Sequence, residues 1–316
     1  MKKIIALLIL ITISFNGYSQ EDDQEEKRSV IQTYTPSILL KKGQWDIKWF
    51  NNLYTETKNL FGGPNGDEKQ DIARNTFFTS TVDIFTGVSE SRKFNLGLIL
   101  EFRSNVIAGR NALDVLKFDG ERGTARSGFT SIAPAIKFNP LKNVGNFTIQ
   151  TAFHIPLVDN EVEDFLPIND GNGVFLDQKG FIFQNRFFYD YSFAGGDWQL
   201  FSELNTEYNF GKKVGRDTNG FQTEGSFANN SFRLTPGVFL SYFPSSKFTI
   251  LVLVQHSQLI AINNENDFSQ DFTALGGGLK YQLTDVLNVE TLYTNFVRGT
   301  GTGLGQTFNI GIRALF

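Results

Sequence analysis

A two-residue apolar period, recurring almost everywhere after Trp45, limits what this chain can fold into more than any other feature. Phe94, Leu96, Leu98, Leu100 and Phe102 alternate with Asn95, Gly97, Glu101 and Arg103. Side chains in a strand point alternately to opposite faces, so this segment carries one apolar stripe and one largely polar face. Phe308, Ile310, Ile312, Ala314 and Phe316 repeat the pattern against Asn309, Gly311 and Arg313. So do Phe147, Ile149, Thr151, Phe153 and Ile155 against Thr148, Gln150, Ala152 and His154, and Trp198, Leu200, Leu204, Tyr208 and Phe210 against Gln199, Glu203, Asn205, Glu207 and Asn209. In a soluble sandwich the stripe would face a partner sheet. In a membrane barrel it would face lipid, with the charges in the lumen.

Segmentation separates the two. The alternation predicts twelve strands, over 45–55, 75–88, 93–106, 128–139, 146–158, 180–194, 197–211, 228–243, 247–262, 267–283, 286–298 and 305–316. Short connections (Ser89 to Arg92, Asn139 to Gly145, Gly195 to Gly196, Pro244 to Ser246, Thr284 to Asp285) alternate with generally longer polar ones (Thr55 to Asn75, Ile107 to Ser127, Asp159 to Lys179, Gly211 to Phe227). Short periplasmic turns and longer outer loops alternate in this way when both termini of a single-chain barrel are periplasmic. An open sheet edge in hydrocarbon leaves backbone groups unpaired at a cost of several kcal/mol each, so the sheet must close. An even strand number lets the first and last strands pair antiparallel. The fold expected is therefore all-β, a closed antiparallel transmembrane β-barrel of about 12 strands. With the short turns in the periplasm, Phe85, Phe94, Phe138, Phe147, Tyr191, Trp198, Tyr242, Phe248, Tyr281 and Phe316 fall near one rim as an aromatic girdle.

Ahead of the barrel, Lys2 and Lys3 precede the apolar run Ile4 to Ile13, which is too short to span a membrane and is followed by small and polar residues. Residues 1–19 are read as a signal peptide cut after Ser19. Residues 20–44 begin with an acidic tract, Glu21 to Glu26, and pass through Pro36; they are read as a periplasmic tail or as a luminal plug, ahead of a barrel over 45–316. The sequence holds 29 Lys+Arg and 33 Asp+Glu, and loss of Lys2 and Lys3 leaves 27 against 33, a net charge of −6. An acidic chain with scattered basic residues is no nucleic-acid binder. No cysteine occurs, which excludes a lipid-anchoring Cys, a disulfide framework and a thiolate metal site. No later stretch has the length of a membrane helix.

Gly17-Tyr18-Ser19-Gln20 resembles the signal-peptide ends of the Bacteroidota. Thr35-Pro36 through Leu40-Lys41-Lys42-Gly43-Gln44-Trp45, followed by a strand, resembles the opening of mid-sized outer-membrane barrels grouped with aromatic-degradation pathway transporters. Phe308 to Phe316 is similar to the C-terminal strand recognised by the barrel-assembly machinery, with Phe316 as its terminal signal. That resemblance implies a biogenesis route and no substrate.

Twelve charged residues take the inward parity: Asp83, Glu101, Arg103, Lys137, Arg186, Asp190, Glu203, Glu207, Arg233, Lys280, Glu290 and Arg313. Glu101, Arg103, Glu203, Glu207, Arg233 and Arg313 are the luminal candidates carried forward. Mixed signs serve a solute path or an ionic network filling the lumen, since buried charge without a partner is costly. A bulge can shift the phase of any one strand. His154 takes the inward parity with no Ser or Cys two residues away. His256 takes the lipid-facing parity of Phe248, Ile250, Val252 and Val254, which is similar to outer-membrane phospholipases; those carry Ser two positions after the His, where this chain has Gln258, and Ser257 belongs on the other face. Gly276-Gly277-Gly278 marks curvature or close backbone approach. Gly299 to Gly305 lacks the Lys-Ser/Thr end of a P-loop and reads as a flexible outer loop. Asp164, Asp170 and Asp177 do not have EF-hand spacing.

No catalytic residue, metal or cofactor is assigned. The leading function is an outer-membrane channel or transporter for a small solute, in contact with outer-membrane lipid. The alternatives are an accessory barrel subunit held by an envelope protein partner and, less favoured, a lipid-modifying enzyme.

Overall fold

The computed structural model describes residues 35–62, 67–121, 123–141, 143–158, 174, 176, 180–211, 215–216, 222–224, 230–262 and 270–316. These form fourteen strands: β1 Trp45–Gly62, β2 Glu68–Gly87, β3 Phe94–Val106, β4 Ala125–Phe138, β5 Phe147–Pro156, β6 Ile182–Phe193, β7 Trp198–Asn209, β8 Gly215–Arg216, β9 Gln222–Glu224, β10 Ser231–Tyr242, β11 Phe248–Ala261, β12 Gln270–Gln282, β13 Leu287–Thr300 and β14 Thr302–Leu315. Twelve of them close an antiparallel barrel in the order β1-β14-β13-β12-β11-β10-β7-β6-β5-β4-β3-β2; β8 and β9 pair only with each other. The seam runs from Asp46↔Leu315 to Leu60↔Thr302. Beyond it, Trp45 N–H donates to Phe316 C=O and Phe316 N–H donates to Trp45 C=O, at 2.7 and 3.0 Å.

The polarity of the barrel is that of a soluble barrel turned inside out. Trp49, Leu98, Phe153, Val252, Ile310 and Phe316 are exposed on the outer wall, whereas Asn95, Thr148, Gln150, Thr249 and Ser257 are buried on the inner one. Apolar area costs roughly 25 cal/mol per Å² when left in water, so this outer wall belongs in hydrocarbon. Closure leaves no sheet edge to be desolvated there. The fold is a transmembrane β-barrel.

The start of β1, the end of β14 and five tight connections lie at one end of the barrel, the connections being those following β2, β4, β6, β10 and β12. The connection after β3 lies at the other, and so does the close of the first hairpin. That hairpin is longer than its sequence suggests. Residues Thr55 to Asn75, read as a loop, are mostly strand, with a register shift between Glu56 and Lys58. Polar residues with no apolar stripe still form strands when each pairs with the other, as Asn59↔Gln70 and Leu60↔Lys69 do. The Gly299 to Gly305 tract is also strand, reversed at Gly301 with φ +59°. Side chains at Gly303 or Gly305 would collide with Tyr54 and, at Gly303, with Glu56 as well, so these glycines make room for inward groups on β1. One girdle residue moves: Phe85 is buried inside, its ring lying over Gly97 and under the Lys137 ammonium, 3.8 Å from the ring centroid.

Candidate functional site in the lumen

Every charged side chain selected from the sequence as a luminal candidate has an ionic partner. Arg103 Nε donates to Glu101 Oε1 at 2.8 Å, and Thr130 Oγ1 donates to the same oxygen at 3.0 Å. Thr130 reaches it because the β3–β4 register shifts between Glu101 and Phe102, leaving Thr130 as the extra residue of a bulge. Arg103 Nη1 also donates to the carbonyl of Leu176, 3.1 Å away. On the far wall Arg186 donates to Glu203 at 2.8 Å. Glu207 accepts from Gln184 and Asn205 at 3.1 and 2.8 Å and lies 3.5 Å from Arg233. Arg313 grips both carboxylate oxygens of Asp46 at 2.7 Å each.

A further group joins Lys48 and Lys280 to the single carboxylate of Glu290, at 2.9 and 3.4 Å. Lys280 and Glu290 carried the inward parity in the sequence, whereas Lys48 was overlooked because its neighbours Trp49 and Phe50 are both aromatic. Pairing offsets the desolvation of each charge, and the pairs hold one another in fixed rotamers.

Residues 35–44 turn back across the inside of the barrel at the short-turn end. Ser37 Oγ and Thr35 Oγ1 both donate to Asp190 Oδ1 on β6, the latter at 3.0 Å. Leu40 packs with Phe85, Ile99, Ala133, Ala135, Ala152 and Leu315. With its amide placed to satisfy both groups, Asn95 accepts from Leu40 N–H and donates to Phe94 C=O, each at 3.1 Å. The crossing passes so close to β2 that a Cβ on Gly87 would collide with the Lys41 carbonyl, while Gly43 N–H and Gly87 N–H bond across to Gly87 C=O and Gln44 C=O at 2.9 and 3.0 Å.

Toward the opposite end, an inward row of rings runs Phe77, Tyr54, Phe296, Phe272, with centroids 6.1, 5.0 and 4.2 Å apart in turn. Tyr54 OH donates to Glu56 at 2.6 Å. Sequence reasoning missed this row. Its signal was present, since Tyr54 and Phe77 take the parity opposite to Leu53 and Phe78.

The histidines separate. His256 Nδ1 lies 3.0 Å from Thr273 Oγ1, and Ser257 is buried on the inner face, so no His256–Ser257 dyad forms. His154 Nδ1 lies 3.2 Å from Ser131 Oγ, a pairing across strands that its own neighbours do not announce. Ser131 is buried, and His154 Nε2 is enclosed without a hydrogen-bond partner. The pair braces the wall beside Glu101. Asp164, Asp170 and Asp177 lie outside the described residues; among those described, no group of three or more His, Asp or Glu side chains is placed to hold a metal.

No family model matches the chain, and no curated protein matches it. Solved structures do. An outer membrane channel from Pseudomonas putida F1 superposes with a TM-score of 0.67 at 8% identity, over 90% of this chain and 99% of that one. The β domain of the Bordetella autotransporter Brka superposes with a TM-score of 0.54 at 13% identity, over 86% of this chain and 99% of that one. At such identity the likeness is one of fold: the chain has the twelve-stranded architecture of outer-membrane barrels.

Proposed function

We propose that this chain is an outer-membrane channel that passes a small solute without chemical change, with residues 1–19 serving as its signal peptide and both termini periplasmic. One observation carries the reading: ion-paired side chains inside the barrel stay partly accessible to solvent, while the pair at the short-turn end is enclosed. Arg103, Lys48, Arg186, Lys280 and Arg233 keep 25–31% of their side-chain surface accessible although each is ion-paired, and the carboxylates they hold keep 12–19%. At the short-turn end, by contrast, Asp46 and Arg313 keep 4% and 13%, with Leu40 packed nearby. A column of paired charges of both signs along a wet path gives a focused field that selects among small polar or charged solutes. Residues 35–44 act in this reading as a plug over the periplasmic mouth.

The plug also favours a second reading, an accessory barrel held by an envelope protein partner, because a covered mouth suits a scaffold. Planar-bilayer recording separates the two. The mature protein is expected to give small discrete steps, and removal of residues 20–43 to enlarge them while insertion is unchanged. Charge reversal at Glu101, Arg103, Glu203, Glu207 or Arg233 is expected to change ion preference. A folded, plug-deleted protein that passes neither ions nor solute would reject the channel in favour of the partner-bound barrel.

A further inference from the structure

The connection between β3 and β4 does not stand above the barrel. It folds down over the outside of the wall. Phe78, Leu53, Val106 and Ala125 all take the outward parity, and Val115, from the connection, is buried against them. Ser104 on β3 donates to Val115 C=O at 2.6 Å, and Ser127 on β4 donates to Phe118 C=O at 3.0 Å. Both serines share the outward parity of their strands.

Residues Ala112–Lys117 form a 3-10 helix, capped by Asn111, whose side chain accepts from Leu113 N–H at 3.0 Å. With three residues per turn, side chains at i and i+3 lie one above the other. Three faces result, and the sequence sorts them. Val115 faces the barrel. Asp114 and Lys117 pair at 2.9 Å on a polar face, extended by Arg110, which holds Asp114, Asp119 and Glu121 at 3.4, 2.8 and 3.0 Å. Leu113 and Leu116 share the remaining face and stand 64% and 49% exposed. Phe118, just past the helix on the side of Val115, sets its half-exposed ring 6.3 Å from Phe78 and 5.4 Å from Phe102, which is in turn 5.4 Å from Phe129 on the outer wall. The two leucines thus stand exposed on a segment that Val115 and Phe118 fasten to the apolar exterior of the barrel.

We propose that residues 110–121 form an interfacial foot, with Leu113, Leu116 and Phe118 seated in the acyl chains of the leaflet at the long-loop end and the Arg110 web in the headgroup layer. The occupant of this face is lipid, because the segment that bears it is docked on a wall whose outward side chains already face lipid. The β3 strand supports the height. About 9–11 tilted residues cross the hydrocarbon, which places Ser104, ten residues beyond Phe94, at its far boundary. Amphipathic helices lying in that plane bury their apolar face about 5–10 Å below the headgroups. The foot would fix the rotation and depth of the barrel about the β2–β4 wall.

The chain has no cysteine, so Leu116→Cys and Glu121→Cys each give one labelling site. Each full-length mature variant would carry an environment-sensitive fluorophore and be refolded into phosphatidylcholine vesicles, with folding checked by heat-modifiable migration. The Leu116→Cys label is expected to be quenched by lipids with a nitroxide high on the acyl chain and protected from aqueous iodide; the Glu121→Cys label is expected to behave oppositely. Equal iodide quenching at both sites would overturn the proposal. So would a Leu116→Cys label shielded from both quenchers, the result expected if a second copy or another protein covered the face. Leu113→Cys provides the same readout should Leu116→Cys fail to fold.

Discussion

Arg313 and Asp46 join the last strand to the first across the seam, two 2.7 Å bonds between a guanidinium and a carboxylate that are both largely removed from water. The fork fits both oxygens at once, a geometry that lysine does not reproduce. Removing one partner leaves the other buried alone. Arg313→Met is expected to destabilise the refolded barrel by about 3 kcal/mol, measured by urea titration in vesicles. Combining it with Asp46→Leu is expected to recover much of the loss, and no recovery in the double variant would mean that the pair is not what Arg313 contributes.

Gly87 offers a way to move residues 35–44, the proposed plug, without cutting the chain. Gly87→Val places side-chain atoms where the Lys41 carbonyl passes, while valine suits the strand itself. The variant is expected to fold, to expose residues 35–43 to added protease, and to enlarge bilayer currents as the deletion does. Unchanged protection of the segment would show that it accommodates the clash in place.

The two faces of the wall should differ in their tolerance of charge. Leu98→Arg puts a cation in hydrocarbon and is expected to cost about 2–4 kcal/mol if the site lies near mid-membrane. Thr81→Arg faces the lumen beside Glu101, its cross-strand partner, and is expected to cost far less. Asn95 makes a poor inward control, being buried beneath Leu40. Refolding titrations that give the same cost at Leu98 and Thr81 would contradict the assigned phase.

Acid should loosen the foot. The hydrogen bond from Arg110 holds the Asp119 carboxyl below its usual range, and the bond from Lys117 does the same for Asp114. A depressed folded-state value contributes stability that is present above the unfolded value, about 3.9 for Asp, and is lost as pH falls through the folded one. Fluorescence of a Leu116→Cys label is therefore expected to be flat from neutral pH to about 4 and to shift below it. Asp119 and Glu121 keep 35% and 67% of their side-chain surface accessible, so the effect should weaken with salt. A transition centred near neutrality would point to other groups.

The parts of this molecule legible in its sequence are those set by a two-residue period. Leu98 outside, Arg103 inside and the closing strand ending beside Phe316 follow from parity alone, because slipping a strand by one residue would exchange its faces. The pairing of Ser131 with His154 is not of this kind. It depends on the register between two strands and on the bulge at Thr130, which no local window contains. Phe85 misleads for another reason: a ring near a turn reads as girdle, although it shares the inward parity of Asp83, and the space over Gly97 beside Lys137 accommodates it inside. The connection 107–124 reads as a polar loop from its charges, yet its three sorted faces appear only once it is wound as a 3-10 helix against Phe78. Luminal parity was readable; which carboxylate meets which cation was not.

The bonds between Trp45 and Phe316 bring together the two ends of the sheet. Each neighbouring hairpin can zip locally once its turn is made, at a small loop-closure cost, whereas the seam must join residues separated by the whole sheet. The barrel thus has one joint that forms against the largest chain entropy. Until it forms, β1 and β14 offer open edges, ready to pair with any strand presented to them. Closing this wall sets one long-range contact against mispairing, and the Asp46–Arg313 pair lies on that joint.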